Sequence, residues 1–354
     1  MLTAAWRRLS HGRDIMAAFL LVWGLGQAPG KSAASIGLGA CLQRGGLRVG
    51  YIRPRLNGEA LDDDAQGDVA FAQQVLSLQQ PPQALAPELG VIPGVGSEED
   101  LRRLAETIAQ GRDLVLVELP ASTSETAVAF LASVWNAKVL PVVKHSQGLG
   151  PETVANFVGG VKEPIAGVLI NRAPAKLMGV MEAQLARPLE DRGLPVFGVL
   201  PEDRRLYGFN VGELADHLEG QFLCCEDKAD SLVEFLMLGG NPADPALEYF
   251  NPRPRKAVFC RADRPDIQLA ALDTTVSCLV LTGTGHVQTS LLYRAEDEGI
   301  PLVKVARDTM ATIAALDGLL GKIRFRHPEK VPRIGELFSE RCRLSALKGA
   351  LGLG

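Results

Sequence analysis

The sequence predicts an α/β protein, a doubly wound parallel sheet with helices on both faces followed by a smaller α/β unit. Three observations carry this prediction. From Met16 to about Pro201, short apolar runs alternate with segments of helical period, the pattern of parallel strands joined by crossover helices. The first apolar run turns abruptly into "GLGQAPGKS", so a Gly-rich turn joins the first strand to the first helix. From about Leu206 a second, shorter alternation begins. A chain of 354 residues is long for one domain and comfortable for two. The expected division is an extension over 1–15, a first domain over 16–205, a second over 206–325 and a tail over 326–354.

In the first domain, strands are expected at Ala17–Trp23, Arg48–Ile52, Leu114–Leu119, Val139–Val143, Ile165–Ile170 and Val196–Val199. Helices are expected at Lys31–Gln43, Glu98–Gln110, Glu125–Trp135, Pro151–Gly159 and Leu177–Arg192, with "QRGG" and "DRGLP" as stops after the first and last. The polar "NGEALDDDAQGD" and the Pro-rich "QQPPQALAPELGVIPGVGSEED" read as loops around a short helix at Val69–Leu76. In the second domain, "NVGELADHL" reads as a capped helix stopped at Gly220. It is followed by strands in "KAVFC", "VSCLVL" and "IPLVKV" and helices in "PDIQLAAL" and "SLLYRAEDEG". The tail reads as a final strand or arm, a helix and a frayed end.

Composition narrows the function. Apolar residues make up 47%, charged residues 22% and aromatics 5%, which gives an aliphatic core and excludes a disordered chain. Acidic residues outnumber basic ones by 41 to 37, so no global positive field exists to hold nucleic acid. Six cysteines form no CxxC pair and no ligand spacing with the five histidines, and read as reduced cytosolic thiols. The adjacent Cys224 and Cys225 read as a strand end with one of the two buried.

The opening "WRRLSHGR" and "MAAFLLVWGLG" resemble a secretory signal, but Asp14 interrupts the pattern and Lys31 with its helix stands where a cleavage site belongs. No stretch reaches the roughly 18 uninterrupted apolar residues of a spanning helix. A cytoplasmic protein without membrane partners is therefore expected. The first fifteen residues are either a loose extension or sequence upstream of a start at Met16.

The Gly-rich turn departs from the GxxxxGK[ST] pattern, because five residues separate Gly24 from Gly30. The chemistry still holds: backbone N–H groups of the turn, including Gly26, and the positive end of the following helix form a seat for phosphate. Lys31 reaches the β and γ phosphates, and the Ser32 hydroxyl suits Mg²⁺. His145 in "VVKHSQG" is a weaker candidate for touching phosphate or substrate, with a surface-loop histidine as the plainer reading. His286 in "GTGHVQ" is similar.

With "LRVGYIRP" on the second strand, "DLVLVEL" on the third and "GVLINRAP" on the fifth, the first domain resembles the dethiobiotin synthetase group of P-loop proteins. It most resembles the BioD-like N-terminal region of some phosphotransacetylases. Through "RADRPDIQLAAL" and "LVLTGTG", the second domain is similar to the DRTGG domain that follows in those proteins. The resemblance implies that Ser32, Asp68 and Glu118 ligate Mg²⁺, that Asn171 reads the adenine of ATP, and that Lys31, Arg53 and Glu118 serve catalysis. Asp68 as a helix cap and Asn171 as a turn former are the plain alternatives.

Departures qualify this resemblance. Glu118 is followed by "LPASTS" where dethiobiotin synthetases carry a Gly-rich turn for the diamine, and Arg53 stands where they carry Lys. Biotin synthesis is not expected. Nor is a complete phosphotransacetylase, since the sequence ends soon after the second domain. In that domain Asp263, Arg264, Thr282, Gly283 and Gly285 match the DRTGG pattern, with Thr284 in place of its second consecutive Gly, and suggest a second ligand pocket. The plainer reading pairs Asp263 with Arg264 to hold a turn. Domains of this kind are often regulatory and dimerising, which implies a homodimer. Two functions remain open: ATP-dependent activation of a small carboxylic acid or carbamate, and nucleotide sensing without turnover.

Overall fold

The structure, a computed structural model, describes residues 17–353 apart from 27, 57, 59, 61, 91–97, 162–163, 241–247 and 321–322. The expected extension over 1–15 lies outside the described residues. The chain divides into two units, one of residues 1–202 with 331–354 and the other of residues 203–330.

The first unit is built on six parallel strands, β1 (Ala18–Leu25), β2 (Val49–Ile52), β3 (Leu114–Glu118), β4 (Lys138–Lys144), β5 (Val168–Ala173) and β6 (Val196–Pro201), in the order β2-β3-β1-β4-β5-β6. These strands are nearly continuous apolar runs because both faces are covered. Alternate residues of β1 divide between the faces: Phe19, Leu21 and Trp23 pack with Leu101, Ala105, Val128 and Leu131 of the helices Glu98–Ala109 and Glu125–Trp135.

The opposite face carries helix α1 (Lys31–Arg44), which is buried around most of its circumference. Gly37 and Gly39 lie on opposite sides of it. A Cβ on Gly39 would stand 3.0 Å from Leu76 and 3.1 Å from Leu116, whereas one on Gly37 would stand 2.6 Å from Ile334. The second contact comes from the end of the chain. In place of an arm and a frayed end, the last residues form the helices Lys330–Arg341 and Leu344–Ala350. Ile334, Leu337 and Phe338 recur at helical spacing and are buried, Phe338 stacks on Phe197 at 6.0 Å, and Arg343 N donates to Phe197 O at 2.9 Å. The tail thus covers both α1 and the outer edge of the sheet at Gly198 and Cys342.

Helix α2 (Asp63–Val75) starts earlier than the expected Val69. Its cap is Asp62, whose carboxylate accepts from Ala65 N at 2.6 Å, so Asp68 lies in mid-helix and does not cap it. The expected helix at Leu177–Arg192 is interrupted by a π turn at Glu182–Ala186, just before Pro188 removes an N–H from the ladder.

Among the described residues, the second unit is built on a five-stranded sheet of β7 (Gln221–Cys224), β8 (Phe235–Leu238), β9 (Lys256–Arg261), β10 (Val276–Thr282) and β11 (Leu302–Val305), ordered β7-β11-β10-β9-β8, in which β7 alone runs antiparallel. Ile267, Ala271, Leu291 and Ala295 cover one face, and Val211, Leu214, Leu218 and Leu316 the other. Asn210 and Glu213 form a capping box, as the sequence implies. The left-handed stop of that helix is Glu219, at φ 55°, rather than Gly220. Gly220 is needed for space instead, since a Cβ there would lie 2.5 Å from Val303 Cγ1.

Two stability predictions follow from this packing. Gly37→Val forces side-chain atoms into Ile334 and Phe338 and is expected to lower the unfolding free energy by about 1–3 kcal/mol, read as an earlier urea midpoint; an unchanged midpoint refutes the helix contact. The second concerns alkaline pH. Burial raises the thiols of Cys224, Cys260 and Cys278 to about 11, 12 and 12, and Cys342 higher, from an ordinary value of 9.0. Burial lowers the ammonium groups of Lys256 and Lys330 from 10.5 to about 8. Above the ordinary thiol value the unfolded chain releases thiol protons that the native state keeps, so stability falls as pH rises. The lysines act oppositely between about 8 and 10.5, where the native state has already released its protons. Denaturation midpoints should therefore rise slightly up to about pH 9 and fall beyond it, and Cys260→Ala should reduce the fall.

Candidate functional site

β1 runs two residues further than expected and places Gly24 in register with Val142 of β4. Beyond it the backbone is left-handed at Gly26 (φ 78°), Ala28 (φ 45°) and Gly30 (φ 91°). Gly30 is the N-cap of α1; among the described residues no side chain caps the first turn, which also lacks an acidic residue. By contrast, helices beginning at Asp63, Glu125 and Val211 are capped by Asp62, Ser124 and Asn210. An uncapped N-terminus leaves its N–H groups and the positive end of its dipole available to an anion.

Lys31 folds back over this turn. A Cβ on Gly24 would collide with Pro29 and approach Lys31 Cδ to 3.0 Å, so only glycine lets the lysine stem lie here. The side chain is largely buried, and that burial lowers its pKa while Glu118 and Asp68 pull it upward.

The carboxylate of Glu118, at the end of β3, has no solvent exposure. Its Oε2 accepts from the Tyr51 hydroxyl at 2.9 Å, and its Oε1 lies 2.7 Å from Ser32 Oγ and 3.0 Å from Arg53 Nη1. Ser32 Oγ also lies 2.7 Å from Asp68 Oδ2, which accepts from Arg53 Nη1 at 2.6 Å. The expected set of Ser32, Asp68 and Glu118 does come together from α1, α2 and β3. A hydroxyl with two carboxylates suits a hard cation, but Arg53 Nη1 lies within 2.6–3.4 Å of all three oxygens. As placed, the set surrounds a guanidinium and does not fit a magnesium ion.

Burial pushes the Glu118 pKa up, against the pull of Arg53, and pushes the Tyr51 hydroxyl well up. Tyr51 is the participant that sequence reading missed. Its signal was period two along "YIR", which puts Tyr51 on the face of Arg53.

Asn171, expected at an adenine edge, here bolts the turn in place. Its Nδ2 donates to Pro29 O at 2.8 Å and its Oδ1 accepts from Arg172 N at 2.9 Å, while Arg172 takes a left-handed φ of 60°. A Cβ on Gly30 would collide with this amide. His145 N donates to Asn171 O at 2.8 Å, and among the described residues its buried Nδ1 has no partner. Beside the cluster, Arg53, Arg55, Asp62, Ala65 and Pro120–Ser122 line a cavity of about 270 Å³. The segment in place of the Gly-rich turn thus forms a wall.

In the second unit, Asp263 and Arg264 do not pair with each other: Asp263 pairs with Arg261 and Arg264 with Asp266, on exposed positions. Thr282 is buried and bonded to Cys260 O at 3.2 Å and Thr309 Oγ1 at 2.6 Å. The N–H of Gly283 donates to Arg307 O at 2.8 Å. Gly285 lets the two turns touch, because a Cβ there would lie 3.0 Å from Asp263 N, and its carbonyl accepts from Lys304 at 2.8 Å. These five residues are neighbours whose hydrogen-bonding groups mostly serve the turns themselves. His286 is exposed beside them.

The pair of turns in the second unit falls within a domain match. Residues 213–319 match the DRTGG domain. Over 90% of its length the chain is 22% identical to a phosphate acetyltransferase of Nitrosomonas europaea, of which it covers 49%. It is also 22% identical over 88% of its length to that of Deinococcus radiodurans, of which it covers 48%. The chain thus spans about half the length of these curated relatives. Among solved structures, the MinC:MinD cell division complex of Aquifex aeolicus is similar over 54% of this chain and 83% of that one, at 17% identity and a TM-score of 0.37. No helix among the described residues is long and apolar enough to cross a membrane.

Asn171→Ala removes the bond to Pro29 O and is expected to cost about 1 kcal/mol. Hydrogen exchange should quicken at the amides of residues 28–33 more than in the second unit, and unchanged exchange there would contradict the bolt.

Proposed function

We propose that the first unit binds ATP through its polyphosphate, at the turn from Gly24 to Ser32, and that the chain acts as a nucleotide-sensing module with the DRTGG domain as its regulatory part. The observation that carries this reading is the uncapped N-terminus of α1, with Gly30 left-handed and Lys31 folded back over Gly24. In this reading Gly24, Gly26 and Gly30 shape the seat, Lys31 supplies charge, Ser32 closes it, and Asn171 holds it in shape from behind. The placement of Arg53 between both carboxylates favours binding without turnover, because the guanidinium is committed to Asp68 and Glu118. A homodimer built through the DRTGG domain, acting on a partner enzyme, belongs to the same proposal.

A second reading, ATP-dependent activation of a small carboxylic acid, is supported by the cavity beside Arg53. Arg55, Asp62 and Pro120–Ser122 also line it, which gives room for a small acid beside two guanidinium groups. There Lys31 would stabilise charge developing on the transferred phosphoryl group, Arg53 would orient the acid, and Glu118 would hold Ser32 and Arg53 in place.

Calorimetric titration with ATP tests the first claim: wild type binds, and Lys31→Ala loses binding by roughly tenfold or more, the scale of a charge-assisted contact. Equal affinity in both proteins rejects the seat. An assay for ADP release with and without small carboxylic acids separates the two readings, since acid-dependent release is expected only of the second.

A further inference from the structure

Ser32 Oγ carries one proton, yet it lies 2.7 Å from an oxygen of each of two carboxylates. A positive charge among three oxygens drawn this close offsets their mutual repulsion. The chain supplies its own: Arg53 Nη1 stands 2.6 Å from Asp68 Oδ2, 3.0 Å from Glu118 Oε1 and 3.4 Å from Ser32 Oγ. We propose that Arg53 takes the place of a divalent cation, so that the polyphosphate of a nucleotide binds at the Gly24–Ser32 turn without metal.

Four considerations support this. A guanidinium cannot be neutralised by deprotonation, so the position carries positive charge at every accessible pH. Magnesium needs its oxygens at about 2.0–2.1 Å in a near-octahedral shell, and a nitrogen bonded to the same three oxygens fills that volume. The side chains of Arg53, Asp68 and Glu118 are only 17%, 10% and 1% exposed, so withdrawing Arg53 would remove a shared ion pair from two poorly solvated carboxylates. Local charge is already balanced, since Arg53 and Lys31 oppose Asp68 and Glu118. An incoming divalent ion would therefore meet no net negative charge and a filled position, whereas a polyphosphate arriving over Lys31 meets the N-terminus of α1.

The inference rests on the nucleotide reading, and one experiment separates their fates. The full chain, stripped of metal, is titrated with ATP in EDTA and again in magnesium, and Mn²⁺ binding without nucleotide is followed by electron paramagnetic resonance. Expected are dissociation constants agreeing within about twofold in the two buffers, with no specific Mn²⁺ signal. Arg53→Ala vacates the position: it should bind Mn²⁺, and its ATP affinity should fall roughly tenfold or more in EDTA and recover with magnesium. Wild type that binds ATP only with magnesium overturns the inference and leaves the nucleotide reading standing. No binding in either buffer overturns both. Should Arg53→Ala fail to fold, the wild-type comparison still decides, and Arg53→Lys, which keeps the charge, should remain metal-independent.

Discussion

A carboxylate without solvent exposure, at the end of a central strand, is costly to keep unless its oxygens are paired and bonded. Glu118 is in that position, and the ends of its neighbouring elements are arranged around it. Tyr51 arrives from β2, Arg53 from the turn after it, and Ser32 from the first turn of α1. Asp68 comes from the middle of α2 to complete the pairing of Arg53. Removing one partner of such a cluster costs about 3–5 kcal/mol, far more than an exposed ion pair contributes. The register of β2 beside β3 and the start of α1 are thus tied to one functional group.

The position of that group within the sheet explains why chemistry gathers there. In the order β2-β3-β1-β4, the chain leaves β1 toward one edge and crosses from β3 back over β1 to β4. Their helices pack on opposite faces and open a crevice at the strands' carboxyl ends. The Gly24–Ser32 turn leaves one side of this crevice and Glu118 ends the other. The C-terminal helix at Lys330–Arg341 supports the arrangement from behind, pressing Ile334 against Gly37 of α1. The two units differ in how their turns use hydrogen bonds. In the first unit the N-terminus of α1 has no cap of its own, while in the second Gly283, Gly285 and Thr282 spend theirs on closing the turns.

Much of this was legible in the residues. All six strands of the first sheet fall where apolar runs were bounded by turn residues, within about three residues at each end, because a strand buried on both faces must be apolar throughout. The gathering of Ser32, Asp68, Glu118 and Arg53 was expected from motif resemblance, and the glycines of the turn from the demand for backbone room. The helix over Lys330–Arg341 was legible only in part, since its apolar stripe reads equally as the face of an arm until a surface to cover it is known. Asp68 was misread as an alternative cap for a related reason. The cap that sets the start of α2, Asp62, lies six residues earlier in a polar run with several equivalent candidates.

Local periodicity and turn chemistry by themselves determined the class of the fold, the order of its elements and the place of the Gly-rich turn. These depend on residues a few positions apart, whose geometry the backbone dictates. Tertiary structure alone decided that Tyr51 bonds Glu118, that Asn171 grips Pro29 and that the helix Lys330–Arg341 backs α1. It also put a guanidinium at the centre of the oxygens read as a metal set. Each of these is a contact between segments far apart in the chain, and no local pattern encodes which side chain will fill a space that several elements enclose together.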